Sequence, residues 1–312
     1  MLLIILAHTT YLFPEVNSHG IPESCHVPIF FIAVGLVHAY FPYHGDVKTF
    51  VVKRLWGVFV PYIIFSVINS ILKIGTLLLL HNLNTELIYD ELFQLIVNGN
   101  GPVWFLGTLF FADILYIISN KYAVGGVLSI LLCIVVYYVG DCNNKWIYPL
   151  MRICMAYSLI VWGEKSIKLC SFKKAKRYII FAVCLAIWIL LLASGDNCYA
   201  FRPGFFLNPL HSLPLLLSGS YMFLLLSTLL PSNNRVLNYI GKNSLGFLVI
   251  HPTLHLIWRF SIGGVISNMN NNVQVITFCF AYLMFLLLCW PINEFINKYI
   301  PIMYGKKNGS RN

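Results

Sequence analysis

The sequence predicts an all-α fold, a polytopic transmembrane bundle of about ten helices that forms one membrane domain over residues 1–312. Three observations predict it. Only 10% of the 312 residues are charged, 59% are hydrophobic and the mean hydropathy is +0.77. A soluble domain carries about 25% charged residues to keep its surface wetted, so lipid must cover this chain instead. Apolar runs long enough to cross ~30 Å of hydrocarbon recur along its whole length. The basic residues cluster in every second gap between those runs.

The runs, in order, are 1–13, 26–43, 55–81, 102–119, 123–140, 146–162, 178–194, 213–230, 244–262 and 273–295, followed by a polar tail at 305–312. The first is short. Thirteen helical residues rise about 20 Å, and the segment lacks the basic flank and small-residue cleavage site of a signal peptide. The expectation is a first helix truncated at its N-terminus, with roughly ten to twenty residues missing upstream for a full span.

The gaps on one side hold Lys48, Lys53, Arg54, Lys121, Lys165, Lys168, Lys173, Lys174, Lys176, Arg177, Arg235, Lys242, Lys298, Lys306, Lys307 and Arg311, sixteen basic residues. The alternate gaps hold two, Lys145 and Arg202; Lys73, Arg152 and Arg259 fall within runs or at their ends. Cytoplasmic loops collect Lys and Arg. The pattern therefore predicts a multi-pass protein with both termini cytoplasmic. It also disposes of nucleic acid as the partner of the net charge of +10, because the charge is dispersed among membrane loops. The nine cysteines form no CxxC pair or zinc spacing, and most lie in apolar runs, where a thiol behaves as a small hydrophobe. No metal, resident cofactor or disulfide framework is expected, and the oligomeric state is not legible.

Two outward gaps are distinctive. Residues 86–96 form an amphipathic patch of acidic and apolar side chains, a pattern suited to a helix lying on the membrane surface. Residues 195–212 mix aromatics, amides and Arg202, which suits either carbohydrate contact or an interfacial aromatic belt.

Ionisable groups inside a membrane are costly, and each is a functional candidate by default. Here they are His8, His38, Asp113, Arg152, His251 and His255, with Lys73 and Arg259 at the margins. An imidazole at His8 can accept a proton from a hydroxyl near neutral pH; it can equally be a histidine bonded to a neighbouring helix. His251 and His255, at i and i+4, share one helix face. They read as a polar stripe or, without the Glu of an HExxH pattern, as a poor metal pair. Asp113 needs a partner, and Arg152 is the natural candidate, as structural glue or in catalysis.

Several stretches carry a likeness to a known family: Ile4 to Thr9 with His8; Cys25 to Phe31 running on to Gly35; Lys53-Arg54 followed by Val60-Pro61-Tyr62 and Phe65-Ser66; Gly101 to Leu106; and Ile240 to Leu245 leading to His251-Pro252. In these the chain resembles the acyltransferase family 3 membrane proteins, particularly their fucose 4-O-acetylase-like branch. The resemblance implies a membrane O-acyltransferase. It would move an acyl group, usually acetyl, from cytoplasmic acyl-CoA to a hydroxyl of a lipid-linked or cell-surface glycan at the bacterial inner membrane. By the same resemblance His8 matches the family's essential first-helix histidine. Arg54 matches the first of an arginine pair that holds the CoA phosphates, and His26 matches the histidine before the Pro-Ile-Phe-Phe stretch. Two positions depart from the pattern. The basic residue that the family carries eleven places before its histidine would precede Met1, and the second arginine is replaced by Gly57, which leaves Lys53 to substitute.

The mechanism so implied makes His8 a general base on the acceptor hydroxyl or a transient acyl carrier. Thr9, Trp104 or Asn243 would donate to the oxyanion, and His26, Trp104, Asp113, Arg152, Arg202, Asn243 and His251 would be available as pore or substrate contacts. Two other readings fit the span count. A glycan or small-solute transporter or flippase needs polar residues and broken helices but has no special need for His8. A structural or regulatory subunit that has kept the fold without the activity needs none of them.

Overall fold

The structure, a computed structural model, describes residues 1–13, 16, 23–79, 84–98, 101–139, 146–194, 209–230, 233–266 and 268–306. Among the described residues all regular structure is helical: α1 (Leu2–Thr10), α2 (Pro28–Tyr40), α3 (Val47–Leu79), α4 (Thr85–Phe93), α5 (Trp104–Lys121), α6 (Gly125–Val139), α7 (Tyr148–Lys165), α8 (Ile167–Cys170), α9 (Lys174–Ala193), α10 (Pro209–Leu229), α11 (Arg235–Lys242), α12 (Ser244–Ile266) and α13 (Asn271–Tyr299). The all-α class holds, and each of the ten apolar runs contains a helix. Among the described residues five helical stretches are long and apolar enough to cross a membrane: α3, α9, His211–Leu229 of α10, α12 and α13; α2 and α6 are shorter apolar helices.

One boundary corrects the sequence reading. Lys53 and Arg54 lie not in a loop but on α3, which begins at Val47. Asp46 caps it, with Oδ2 accepting the Thr49 backbone N–H at 2.9 Å. Side-chain and backbone hydrogen bonds from Thr49 hold the Asp46 carboxyl below its usual range. A cap of this kind satisfies an orphan N–H and lets a helix start among charged residues. After Arg54 the helix widens to a π turn, Leu55–Phe59, before resuming at Val60.

The chain divides into two compact units. The first comprises Met1–Ser18, Val52–Phe110 and Arg235–Asn312. In it α1 packs on α12 and α13, α12 packs on α3, and the 3-10 turn Pro301–Tyr304 folds back against α3 and α13. Its interior includes Ile5, Ala7, Val249, Ala281 and Cys289, all fully buried. Gly305 closes the 3-10 turn at φ +67°, and a Cβ there would stand 1.6 Å from the Trp56 carbonyl oxygen, so only glycine fits by conformation and by space.

The second unit comprises His19–Val51 and Phe111–Asn234. Its tightest pair is α2 on α7. A Cβ on Gly35 would lie 2.0 Å from Ile160 O, and one on Gly163 would lie 2.2 Å from Ile32 O. Between helices in lipid, such small residues permit the backbone approach that dispersion forces need. Side chains satisfy one another across the neighbouring helices: Tyr157 OH donates to Ser119 Oγ at 2.8 Å, Ser158 Oγ to Ser129 O at 2.9 Å and Trp188 Nε1 to Ser24 Oγ at 3.0 Å.

Candidate active site

Two helical stripes in the first unit carry polar groups at four-residue spacing, which places them on one face of each helix. On α12 the stripe is His251, His255 and Arg259; on α3 it is Asn69 and Lys73. The short helix α1 adds His8. Its ring centroid lies 5.3 Å from that of His251 and 6.4 Å from that of His255, with the latter two 5.4 Å apart. His8 is half-buried, whereas His251 and His255 are buried.

The hydrogen bonds assign the ring protons. His251 Nδ1 stands 2.7 Å from Phe247 O; a carbonyl only accepts, so Nδ1 carries the proton. Thr9 Oγ1 donates to Ile5 O at 2.7 Å and lies 3.3 Å from His255 Nε2. A hydroxyl has one proton, so His255 Nε2–H is the donor in the second bond. These contacts fix the two rings flanking His8.

A cavity of about 190 Å³ opens beside this cluster, lined by His8, Tyr11, Leu12, Asn69, Lys73, Gly101, Pro252, His255, Leu256 and Arg259. Thr253 Oγ1 donates to Asn69 Oδ1 at 2.9 Å, which orients the amide. Its Nδ2 faces Gly101, where a Cβ would come within 3.8 Å. Gly101 holds φ +65°. Lys73 pairs with Glu91 of α4, which is 3% exposed. Two of the three rings already bond Phe247 and Thr9, and among the described residues no group of three His, Cys, Asp or Glu side chains could hold a metal ion.

The structure therefore brings His8 together with His255, Lys73 and Arg259, and His251 packs on the same ring. It adds Asn69, an uncharged amide that a search for ionisable groups passes over. It separates others. Thr9 is fully buried and already donates to Ile5 O, so it is not an available oxyanion donor. Asn243 Nδ2 donates to Tyr239 O at 3.0 Å between α11 and α12, and Trp104 packs edge-on to Phe105 at 6.3 Å; neither lines the cavity. Lys53 and Arg54 sit on α3 fifteen residues or more before Asn69, about 22 Å away along the axis. Gly57 stands in the π turn, and a Cβ there meets nothing within 4 Å.

His26, Asp113 and Arg152 belong to the second unit. Here the expected Asp113–Arg152 pair is corrected. Asp113 Oδ1 lies 2.5 Å from His38 Nε2, both residues being buried, and Arg152 stacks its guanidinium on the Tyr148 ring at 4.1 Å. A nearby aromatic face attracts the cation, while an imidazole on a facing helix reaches the carboxylate. His38 also stacks on Tyr116 at 4.6 Å and borders a second cavity of about 490 Å³ with Tyr43, Asn120, Lys121 and Glu164. His26 is buried just before α2. Arg202 lies outside the described residues.

A family model described as an acyltransferase domain, that of acyltransferase family 3, matches residues 1–294. The chain belongs to acyltransferase family 3. No curated protein and no solved structure matches it. Membership makes it an acyltransferase of a generally membrane-bound kind, in keeping with the several apolar helices long enough to cross a bilayer. A family 3 acyltransferase needs a place where an acyl group and its acceptor can meet, and the cavity at His8 offers an imidazole, an oriented amide and two cations.

Proposed function

We propose that this protein is an O-acetyltransferase of the bacterial inner membrane. It would transfer acetyl from cytoplasmic acetyl-CoA to a hydroxyl of a cell-surface or lipid-linked glycan, in the manner of the fucose 4-O-acetylase-like branch, with both termini in the cytoplasm. The observation that carries this reading is that His8 lines a cavity together with Asn69.

In this reading Lys53 and Arg54 hold the CoA phosphates through charge-assisted hydrogen bonds, at the end of α3 that the positive-inside pattern assigns to the cytoplasm. The thioester reaches the cavity at His8. The acceptor hydroxyl gives its proton to His8 as its oxygen attacks the thioester carbonyl. The oxyanion is met by the Asn69 amide, which replaces the Thr9, Trp104 and Asn243 of the sequence reading. The C–S bond breaks, the CoA thiolate takes the proton back from His8, and the acetyl ester leaves on the acceptor. The two-step variant forms an acetyl-imidazole on His8 before the hydroxyl attacks. His251 and His255 position the first ring.

The test is transfer of labelled acetyl from acetyl-CoA in membranes holding equal amounts of wild type and His8→Ala. Loss of transfer in the variant is the expected result; transfer that survives the substitution refutes the role of His8. A wild type that exports glycan without acetylating it would make the protein a transporter.

A further inference from the structure

Every full charge lining the His8 cavity is positive. Lys73 and Arg259 are the two, and among the described residues no carboxylate joins them in the wall. Glu91 bonds Lys73 from α4 and is buried, without lining the cavity itself. An ammonium has three donors, so one carboxylate leaves Lys73 able to bind again. Arg259 is exposed and has no ion pair among the described residues. Among the described residues, two cations against one carboxylate leave the site with a surplus positive charge. Such a surplus is costly near a bilayer unless an anion joins it.

The position of these cations argues that the anion is not the donor's. Lys73 follows Arg54 by nineteen residues on α3, about 28 Å along the axis. Arg259 follows Lys242 by seventeen residues, sixteen of them on α12, about 25 Å. Both therefore sit at the helix ends remote from the basic segments that would bind CoA phosphates. They also project from the same faces as Asn69 and His255, beside the place where the acceptor hydroxyl would lie. We infer that the acceptor is an anionic glycan, its carboxylate or phosphate bound by Arg259 and Lys73 while a neighbouring hydroxyl faces His8. The inference rests on the acyl-transfer reading for the identity of the second substrate.

The experiment uses the full chain in phosphatidylcholine nanodiscs with three probes that share one tail: decyl glucoside (neutral), decyl glucuronide (carboxylate) and a decyl phosphate diester of glucose. Binding is read by thermal shift and transfer by labelled acetyl-CoA. The anionic probes should bind about tenfold more tightly than the neutral one, as a charge-assisted hydrogen bond provides, and the preference should shrink as salt rises. Arg259→Gln should abolish it and Arg259→Lys should retain most of it; whichever anionic probe gives the larger ratio names the group. Equal binding of neutral and anionic probes, or a ratio that Arg259→Gln leaves unchanged, overturns the inference. So does a thermal shift given by anionic lipid alone, removed by Arg259→Gln, with no preference among the three probes in phosphatidylcholine, which would assign the cations to headgroups. Charge-selective binding without any acetyl transfer would sink the acyl-transfer reading, and with it the ligand's role as acceptor, and leave only an anion site at Arg259 and Lys73.

Discussion

The contact between α2 and α7 sets a sharp test of the second unit. At Gly163 an added methyl would meet Ile32 O at 2.2 Å, and Ile32 C and Cα at 2.8 Å. All three are backbone atoms, so no rotamer change relieves the clash. An ordinary carbon contact needs about 3.5 Å, so Gly163→Ala must push the helices roughly 1 Å apart along the whole crossing. Overpacking of this kind costs about 1–3 kcal/mol, and in lipid no hydrophobic drive pulls the pair back together. The assay is unfolding of the purified protein by sodium dodecyl sulfate in mixed micelles, followed by circular dichroism. Gly57→Ala is the internal control, because its Cβ meets nothing within 4 Å and helix propensity favours Ala by about 0.5–1 kcal/mol. The expected outcome is a lowered midpoint for Gly163→Ala and an unchanged or raised one for Gly57→Ala. If both variants unfold within about 0.5 kcal/mol of wild type, the backbone-to-backbone crossing is wrong.

Other outcomes follow from other contacts. Gly57→Arg should fold normally in its open position and, on the proposed function, lower KM for acetyl-CoA by adding a second arginine near Arg54; an unchanged KM counts against CoA phosphates at this end of α3. Asn69→Ala should cost about 10²–10³ in kcat, the scale of losing one oxyanion donor, with the protein still folded; a loss below threefold would remove Asn69 from the reaction. Asp113→Ala leaves His38 buried without its carboxylate and should destabilise by about 3 kcal/mol, as breaking buried pairs does, measured by the same detergent unfolding. Thr253→Val removes the bond that orients the Asn69 amide and should lower kcat about fivefold, near 1 kcal/mol, without altering KM for acetyl-CoA; a change in KM alone would argue against a positioning role.

Much of the fold could be read in advance because lipid imposes long apolar runs, and each run is a helix. Helix starts were harder. The Asp46 cap lies among charges that read as loop, and so Lys53 and Arg54 were placed off the helix that carries them. Within the site, the i, i+4 rule joined His251 to His255 without any structure, and the same rule extended by one turn reaches Arg259. Asn69 obeys it with Lys73, yet an amide raises no alarm in a search keyed to charge. The convergence of His8 with α12 spans more than two hundred residues and leaves no periodic trace, because helices in a bilayer associate through local shape. The partner of Asp113 failed for the same reason. Arg152 was the conspicuous cation, but Tyr148 one turn away occupies it, and His38 from α2 reaches the carboxylate.

The seat of Gly305 on the Trp56 carbonyl ties the last described turn to a turn 249 residues earlier. That earlier turn is the π widening that follows Arg54. Trimming or tagging the protein at Pro301–Gly305 is therefore not a remote edit: it uncovers the widened turn beneath the basic end of α3. A truncated or tagged preparation would then differ first at that basic end, which on the proposed function is where acetyl-CoA binds.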